Sequence, residues 1–180
     1  PEVFALGRCD RRAWSTVSPN GQYTPVSAGG EHTCAIRADN SRAECWGAGT
    51  PGSSGVWDHG QSTVSPDVEY SQISAGLQHT CGIRADNSRA ECWGRTSFRQ
   101  STAVLRPSPD VPYLQISAGS WFTCAIRADN SHVECWGYED ALHSTVPPDV
   151  RYTHISATHD NARGIREDNS RVVCWGGSAT

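Results

Sequence analysis

The chain has no lysine and no methionine, so all 15 of its basic residues are arginine. With 19 acidic residues the formal net charge is −4. No basic patch of the kind that binds nucleic acid is present, so nucleic acid is excluded as a partner. No apolar run is long enough to span a bilayer as a helix, and none reads as a signal peptide. Cys-x-x-Cys is absent, which argues against a zinc knuckle. Helical periodicity is missing, as is any nucleophile–base pair, and the chain is therefore expected not to be an enzyme and to need no metal or cofactor. Residue 1 is proline, which suggests a processed chain or part of a longer product.

What the chain does have is repetition. Ser27–Gly47 reads SAGGEHTCAIRADNSRAECWG, Ser74–Gly94 reads SAGLQHTCGIRADNSRAECWG, and Ser117–Gly137 reads SAGSWFTCAIRADNSHVECWG. A weaker copy, SATHDNARGIREDNSRVVCWG, fills Ser156–Gly176. Tandem copies at this period define a repeat architecture in which each unit leans on the next. The units run over 23–69, 70–112, 113–151 and 152–180, within a single repeat domain covering 1–180. A half-unit fills 1–22, because Val3–Arg8 matches Ala90–Arg95.

Each unit reads as a hairpin. Asp39–Asn40, Asp86–Asn87, Asp129–Asn130 and Asp168–Asn169 lie between two short runs. Asp and Asn tolerate positive φ, so a tight turn centred on them is expected. If Asp39 and Asn40 are the loop residues, paired positions sum to 79. Cys34 then faces Cys45, Ile36 faces Ala43, and Arg37 shares a face with Glu44. Directly opposed cysteines are within disulfide reach. Bridges Cys34–Cys45, Cys81–Cys92 and Cys124–Cys135 follow, and with them an oxidising, secreted or extracellular setting.

Upstream of each hairpin lies a further short strand that opens on tyrosine and ends in small residues, as Tyr23–Ala28 does. Small residues suit a crowded centre where strands from several units converge. Three or four strands per roughly 40-residue unit point to an all-β, propeller-like repeat protein of about four antiparallel blades. A parallel β-helix is the structural rival, though its coils are shorter. Trp46, Trp93, Trp136 and Trp175 recur at one position, which suggests packing between blades.

Ile-Ser-Ala-Gly-x-x-His-Thr-Cys-Ala-Ile-Arg-x-Asp-Asn followed by Cys-Trp-Gly resembles the repeat of the regulator of chromosome condensation family, over about Tyr23 to Gly176. That resemblance implies a β-propeller, typically of about seven blades. The family's founding member is a nuclear exchange factor for a small GTPase. Cysteine-bearing versions of the repeat occur in extracellular regions of plant receptor kinases and in bacterial secreted proteins, and another member inhibits β-lactamases. An acidic, cysteine-paired chain of this length departs from the exchange factor. The resemblance implies a protein-binding scaffold.

Two cysteines lie outside the three pairs. Arg163 stands where the other units have Cys34, Cys81 and Cys124, which leaves Cys174 without its partner, and Cys9 sits near the other end. A Cys9–Cys174 bridge would fasten the ends of the chain, an effect worth about 4–5 kcal/mol in the loop-entropy picture. The alternative is an intermolecular bond that chains copies head to tail into oligomers or filaments.

Candidate binding residues come from comparing the copies. Between Ser-Ala-Gly and the cysteine the units differ sharply while their flanks hardly change. Glu31 and His32, Gln78 and His79, Trp121 and Phe122, and His159 and Asp160 are thus expected to line a ligand-binding face. Trp121 and Phe122 are expected to form an exposed aromatic anchor. Trp14, Trp57 and Trp121 do not recur and are candidates for ligand contact. Gly47–Gly52 fits Gly-x-Gly-x-x-Gly, but Pro51 and a Gly/Ser-rich stretch follow it instead of a helix, so it reads as a loop. The expected function is a secreted scaffold that recognises a protein partner. A glycan-binding lectin and a self-assembling structural protein are the alternatives.

Overall fold

The computed structural model describes residues 21–52, 54–97, 110–138 and 146–176. They form four separate three-stranded antiparallel sheets, each with its strands in sequence order. Blade 1 contains β1 (Tyr23–Ala28), β2 (His32–Arg37) and β3 (Ala43–Gly47). Blade 2 contains β4 (Tyr70–Ala75), β5 (His79–Arg84) and β6 (Ala90–Gly94). Blade 3 contains β7 (Tyr113–Ala118), β8 (Phe122–Arg127) and β9 (Val133–Gly137). Blade 4 contains β10 (Tyr152–Ala157), β11 (Asn161–Arg166) and β12 (Val172–Gly176). This is the all-β, propeller-like arrangement expected from the repeat.

The hairpin register is the expected one. Cys34 pairs with Cys45 and Ile36 with Ala43, and Arg37 Nη1 donates to Glu44 Oε1 at 3.0 Å. The turn, however, differs from expectation. Positive φ falls on Ser41, Ser88, Ser131 and Ser170, not on the Asp-Asn pairs. The loop holds four residues, 38–41: Ser41 N donates to the Arg37 carbonyl at 3.0 Å and Arg37 N to the Arg42 carbonyl at 2.9 Å. A four-residue loop centred on the same point keeps the same pairing sum, so the register survives the change of turn. Asp and Asn act through their side chains instead. Asn40 Oδ1 accepts from Arg42 N at 3.0 Å, and Asp39 Oδ1 accepts from Arg37 Nε at 2.9 Å. The same pair of contacts recurs in the other three hairpins.

Each blade packs one sheet face on the next. Cys34 and Ile36 meet Tyr70 and Ile73. Cys81 and Ile83 meet Tyr113 and Ile116, and Cys124 and Ile126 meet Tyr152 and Ile155. Strand alternation explains this: in β5, His79, Cys81 and Ile83 share one face while Thr80 and Gly82 share the other. Trp93, Trp136 and Trp175 lie in these seams beside the tyrosines, while Trp46 packs on Tyr23 within blade 1. Ring centroids are 5.7 Å apart for Tyr70–Trp93, 6.1 Å for Tyr113–Trp136 and 5.4 Å for Tyr152–Trp175.

Backbone hydrogen bonds stitch each seam at both ends. Tyr70 N, Tyr113 N and Tyr152 N donate to the carbonyls of Ser41, Ser88 and Ser131, the left-handed turn residues of the preceding blade, at 2.8, 2.8 and 2.9 Å. At the opposite end Gly30 N, Leu77 N and Ser120 N donate to the carbonyls of Gly76, Gly119 and Thr158. Between them Ser27, Ser74 and Ser117 offer Oγ to the amides of Ala75, Ala118 and Ala157 at 2.9, 2.9 and 2.8 Å. Among the described residues the hydrophobic clusters join blades 1–2, 2–3 and 3–4, and none joins blade 4 to blade 1.

Three disulfides, Cys34–Cys45, Cys81–Cys92 and Cys124–Cys135, cross-link β2 to β3, β5 to β6 and β8 to β9. Opposed Cα atoms lie 4.0–4.1 Å apart. Cys174 is exposed and has no disulfide partner among the described residues. Cys9 lies outside the described residues, as do Trp14 and the half-unit at 1–20.

Candidate functional site

The variable tips between the first and second strands of each blade lie along one rim. The structure divides the expected binding residues in two. His32, Gln78, His79 and Phe122 are buried. They do not line an exposed face, and Trp121 and Phe122 are not a paired exposed anchor. Glu31 and Trp121 are half-buried, and His159 and Asp160 are exposed.

The cause of the burial is strand alternation. The residue that opens each second strand points along the same face as the cysteine two positions on, into the seam. There it meets the next blade. His32 Nε2 lies 2.6 Å from Thr80 Oγ1, and His79 Nε2 lies 2.8 Å from Thr123 Oγ1. Thr80 Oγ1 spends its proton on the Gln61 carbonyl at 2.8 Å, so His32 Nε2–H donates to Thr80. Nδ1 of both histidines is buried and without a partner, and both rings are held neutral. Burial lowers His32 to about 4. His79 is lowered to about 3, by burial and then by the nearby His32. In the third seam Phe122 takes the histidine position, and the next blade supplies Ala162 where the others supply threonine. The variation at this position therefore matches the residue that the neighbouring blade presents.

Beside Glu31, His159 and Asp160, the rim carries two connected groups. Arg95 leaves the end of β6, and its Cζ sits 5.3 Å from the centroid of the Trp121 ring in blade 3. Arg95 Nη1 also donates to Gln78 Oε1, while Gln78 Nε2 is buried without a partner among the described residues. Tyr138 N donates to the Trp121 carbonyl at 3.0 Å, and the Tyr138 side chain is 40% exposed. The second group is the long connection after β3. Buried Gln61 accepts through its carbonyl from Trp93 Nε1 at 2.9 Å and packs on Gly94. Its Nε2 donates to the Trp57 carbonyl at 2.7 Å. Trp57 is 53% exposed, with exposed Val56 beside it. Gly47–Gly52 is an irregular turn at the start of this connection, with positive φ at Gly47, Gly49 and Gly52.

Arg95, Tyr138 and Gln61 are rim residues that the repeat comparison did not select. The signal was present for two of them: the residue after Trp-Gly is Ala48, Arg95, Tyr138 or Gly177. It varies as strongly as the tips, because it leaves the third strand beside them. Chemically the rim offers aromatic faces, one of them carrying a guanidinium, and at the blade 4 tip an exposed imidazole–carboxylate contact, His159 Nδ1 to Asp160 Oδ1 at 2.7 Å.

No known family profile matches the chain, and no curated protein matches it. Solved structures do. The entire ectodomain of the Physcomitrella patens receptor kinase CR4 is 28% identical, with a TM-score of 0.72 over 88% of this chain and 40% of that one. The CRINKLY WD40 ectodomain of the Arabidopsis thaliana receptor kinase ACR4 is 26% identical, with a TM-score of 0.69 over 87% of this chain and 51% of that one. Yeast RCC1 (Prp20), solved bound to Kap60, shares the fold at 14% identity and a TM-score of 0.65, over 87% of this chain and 44% of that one. The chain thus has the RCC1-like repeat fold, and it spans about half or less of the chains it resembles.

Proposed function

We propose that the chain is a non-enzymatic extracellular scaffold that recognises a protein partner through the rim formed by Trp57, Arg95, Trp121 and Tyr138, with Glu31, His159 and Asp160 at neighbouring tips. The observation that carries this reading is the Arg95–Trp121 pair, held between two blades beside exposed Tyr138. Tryptophan, tyrosine and arginine are the side chains that supply most binding energy at protein interfaces. A guanidinium already ordered over a ring loses little freedom when a partner closes on it. The extracellular setting is supported by the three hairpin disulfides and by the two receptor-kinase ectodomains among the similar structures.

The test is an array of secreted proteins and receptor ectodomains probed with the disulfide-intact chain. Arg95→Ala/Trp121→Ala is expected to weaken a captured interaction by about 30-fold or more, the scale of a hot spot, with the circular dichroism spectrum unchanged. Equal binding by this folded variant rejects the rim. A glycan array read in parallel decides the lectin alternative: binding competed by free sugar would replace the protein partner with a carbohydrate.

A further inference from the structure

Each of the three seams needs a glycine at one place. Gly29, Gly76 and Gly119 follow the first strands of blades 1, 2 and 3. A Cβ on any of them would fall well inside 3.0 Å of a carbonyl oxygen of the next blade, on Gly76, Gly119 and Thr158 respectively. It would also strike the ring of His32, His79 or Phe122 in its own blade. The carbonyl cannot retreat, because it accepts a seam hydrogen bond from the amide one residue further on in the preceding blade, Gly30, Leu77 or Ser120. Blade 4 carries Thr158 at this position. Thr158 Oγ1 lies 2.9 Å from the Asn161 carbonyl and 2.8 Å from Asn161 Oδ1, an arrangement no other blade has.

The same face of blade 4 departs from the seam pattern twice more. Cys34, Cys81 and Cys124 are 0% exposed in the seams, whereas Arg163 occupies the equivalent site, exposed and opposite Cys174. Burying that guanidinium against the tyrosine and isoleucine of an incoming blade would be unfavourable without a carboxylate to meet it. Gln72 and Gln115 reach into the next blade, where Oε1 accepts from Ile116 N and Ile155 N at 2.9 and 2.8 Å. His154 stands at that site in blade 4 and Pro25 in blade 1, whose seam forms without this contact.

The opposite end of the array is different. Blade 1 turns Val26, Ala28, Thr33 and Trp46 outward, the residue types that the other blades press into a seam. Val26 is 69% exposed, where Ile73, Ile116 and Ile155 are 7%, 5% and 6% exposed.

We propose that blade 4 is a cap. Its outward sheet face refuses a further blade in the geometry of the three seams, whether that blade comes from a second copy or from the same chain. Head-to-tail stacking of copies through this face is thereby disfavoured. The two ends of the array are chemically unlike: one keeps the seam residues and the other has lost, at 158 and 163, the glycine and the cysteine that all three seams share.

Light scattering over a concentration series tests this, with free thiols alkylated in the native chain. The native chain is expected to keep the mass of one copy throughout. A variant carrying His154→Gln, Thr158→Gly, Asn161→His and Arg163→Cys restores the seam residues. Its apparent mass is expected to at least double with concentration and to return to one copy when Val26→Arg is added. Self-association of the native chain that Val26→Arg abolishes would overturn the proposal. So would a single-copy mass for the four-residue variant with a native circular dichroism spectrum. Should that variant not fold, Gly119→Thr in the native chain decides: it is expected to expose β10–β12 to protease at least tenfold faster, and an unchanged rate overturns the proposal.

Discussion

At the residue scale the two seam histidines carry a measurable consequence. Their folded-state affinities for a proton are depressed, to about 4 for His32 and about 3 for His79. The unfolded chain takes up these protons near pH 6.5. As pH falls through 6.5, the unfolded state therefore gains protons that the folded state refuses. Stability is full above pH 6.5 and declines until the folded histidines protonate, near pH 4 and pH 3. At about 1.4 kcal/mol per tenfold change in proton affinity, the two account for several kcal/mol. Thermal melts at pH 7.5, 6, 5 and 4.5 are expected to show most of the loss above pH 4.5. The turn aspartates, held below the usual carboxylate range by their arginines, are exposed and titrate below this window. A flat profile between pH 7.5 and 4.5 would show that the histidines are not buried neutral.

At the element scale the blade seams are paired codes. His32 faces Thr80 and His79 faces Thr123, while Phe122 faces Ala162. Thr123→Ala strips the His79 ring of the hydrogen-bond partner it has among the described residues and is expected to cost about 1–3 kcal/mol. His79→Phe crowds the threonine hydroxyl and is expected to cost a similar amount. The double variant reproduces the third seam and is expected to recover most of the loss, a coupling of about 1 kcal/mol or more in a denaturation cycle. Additive costs would refute the pairing. The hairpin register was legible in the sequence because cysteine spacing and turn position both marked one centre of symmetry. The turn type was not, since four-residue and two-residue loops about one centre place the cysteines identically. Histidine and phenylalanine at 32, 79 and 122 read as surface variation because a contact with the next unit lies more than forty positions away. Only the alternation of Thr80, Thr123 and Ala162 could have disclosed it.

At the scale of the whole molecule, stability is distributed unevenly along the array. Among the described residues, blades 2 and 3 are sandwiched on both faces, and blades 1 and 4 on one. In a quasi-one-dimensional protein the end units open first. Amide exchange is expected to be slowest in β5 and β8 and at least tenfold faster in β1 and β12. Equal protection in all four blades would mean that the ends are covered. The seam pairings bear also on how such a chain came to exist and how it avoids folding wrongly. Near-identical neighbours invite slippage, in which one copy takes another's place within the chain or trades places with a copy on a second molecule. Histidine opposite Ala162 would lose its acceptor, and Phe122 opposite a threonine would bury that hydroxyl beside a ring. Each unit thus carries an address readable only by its proper neighbour, and a duplicated gene segment becomes an ordered series rather than four interchangeable parts.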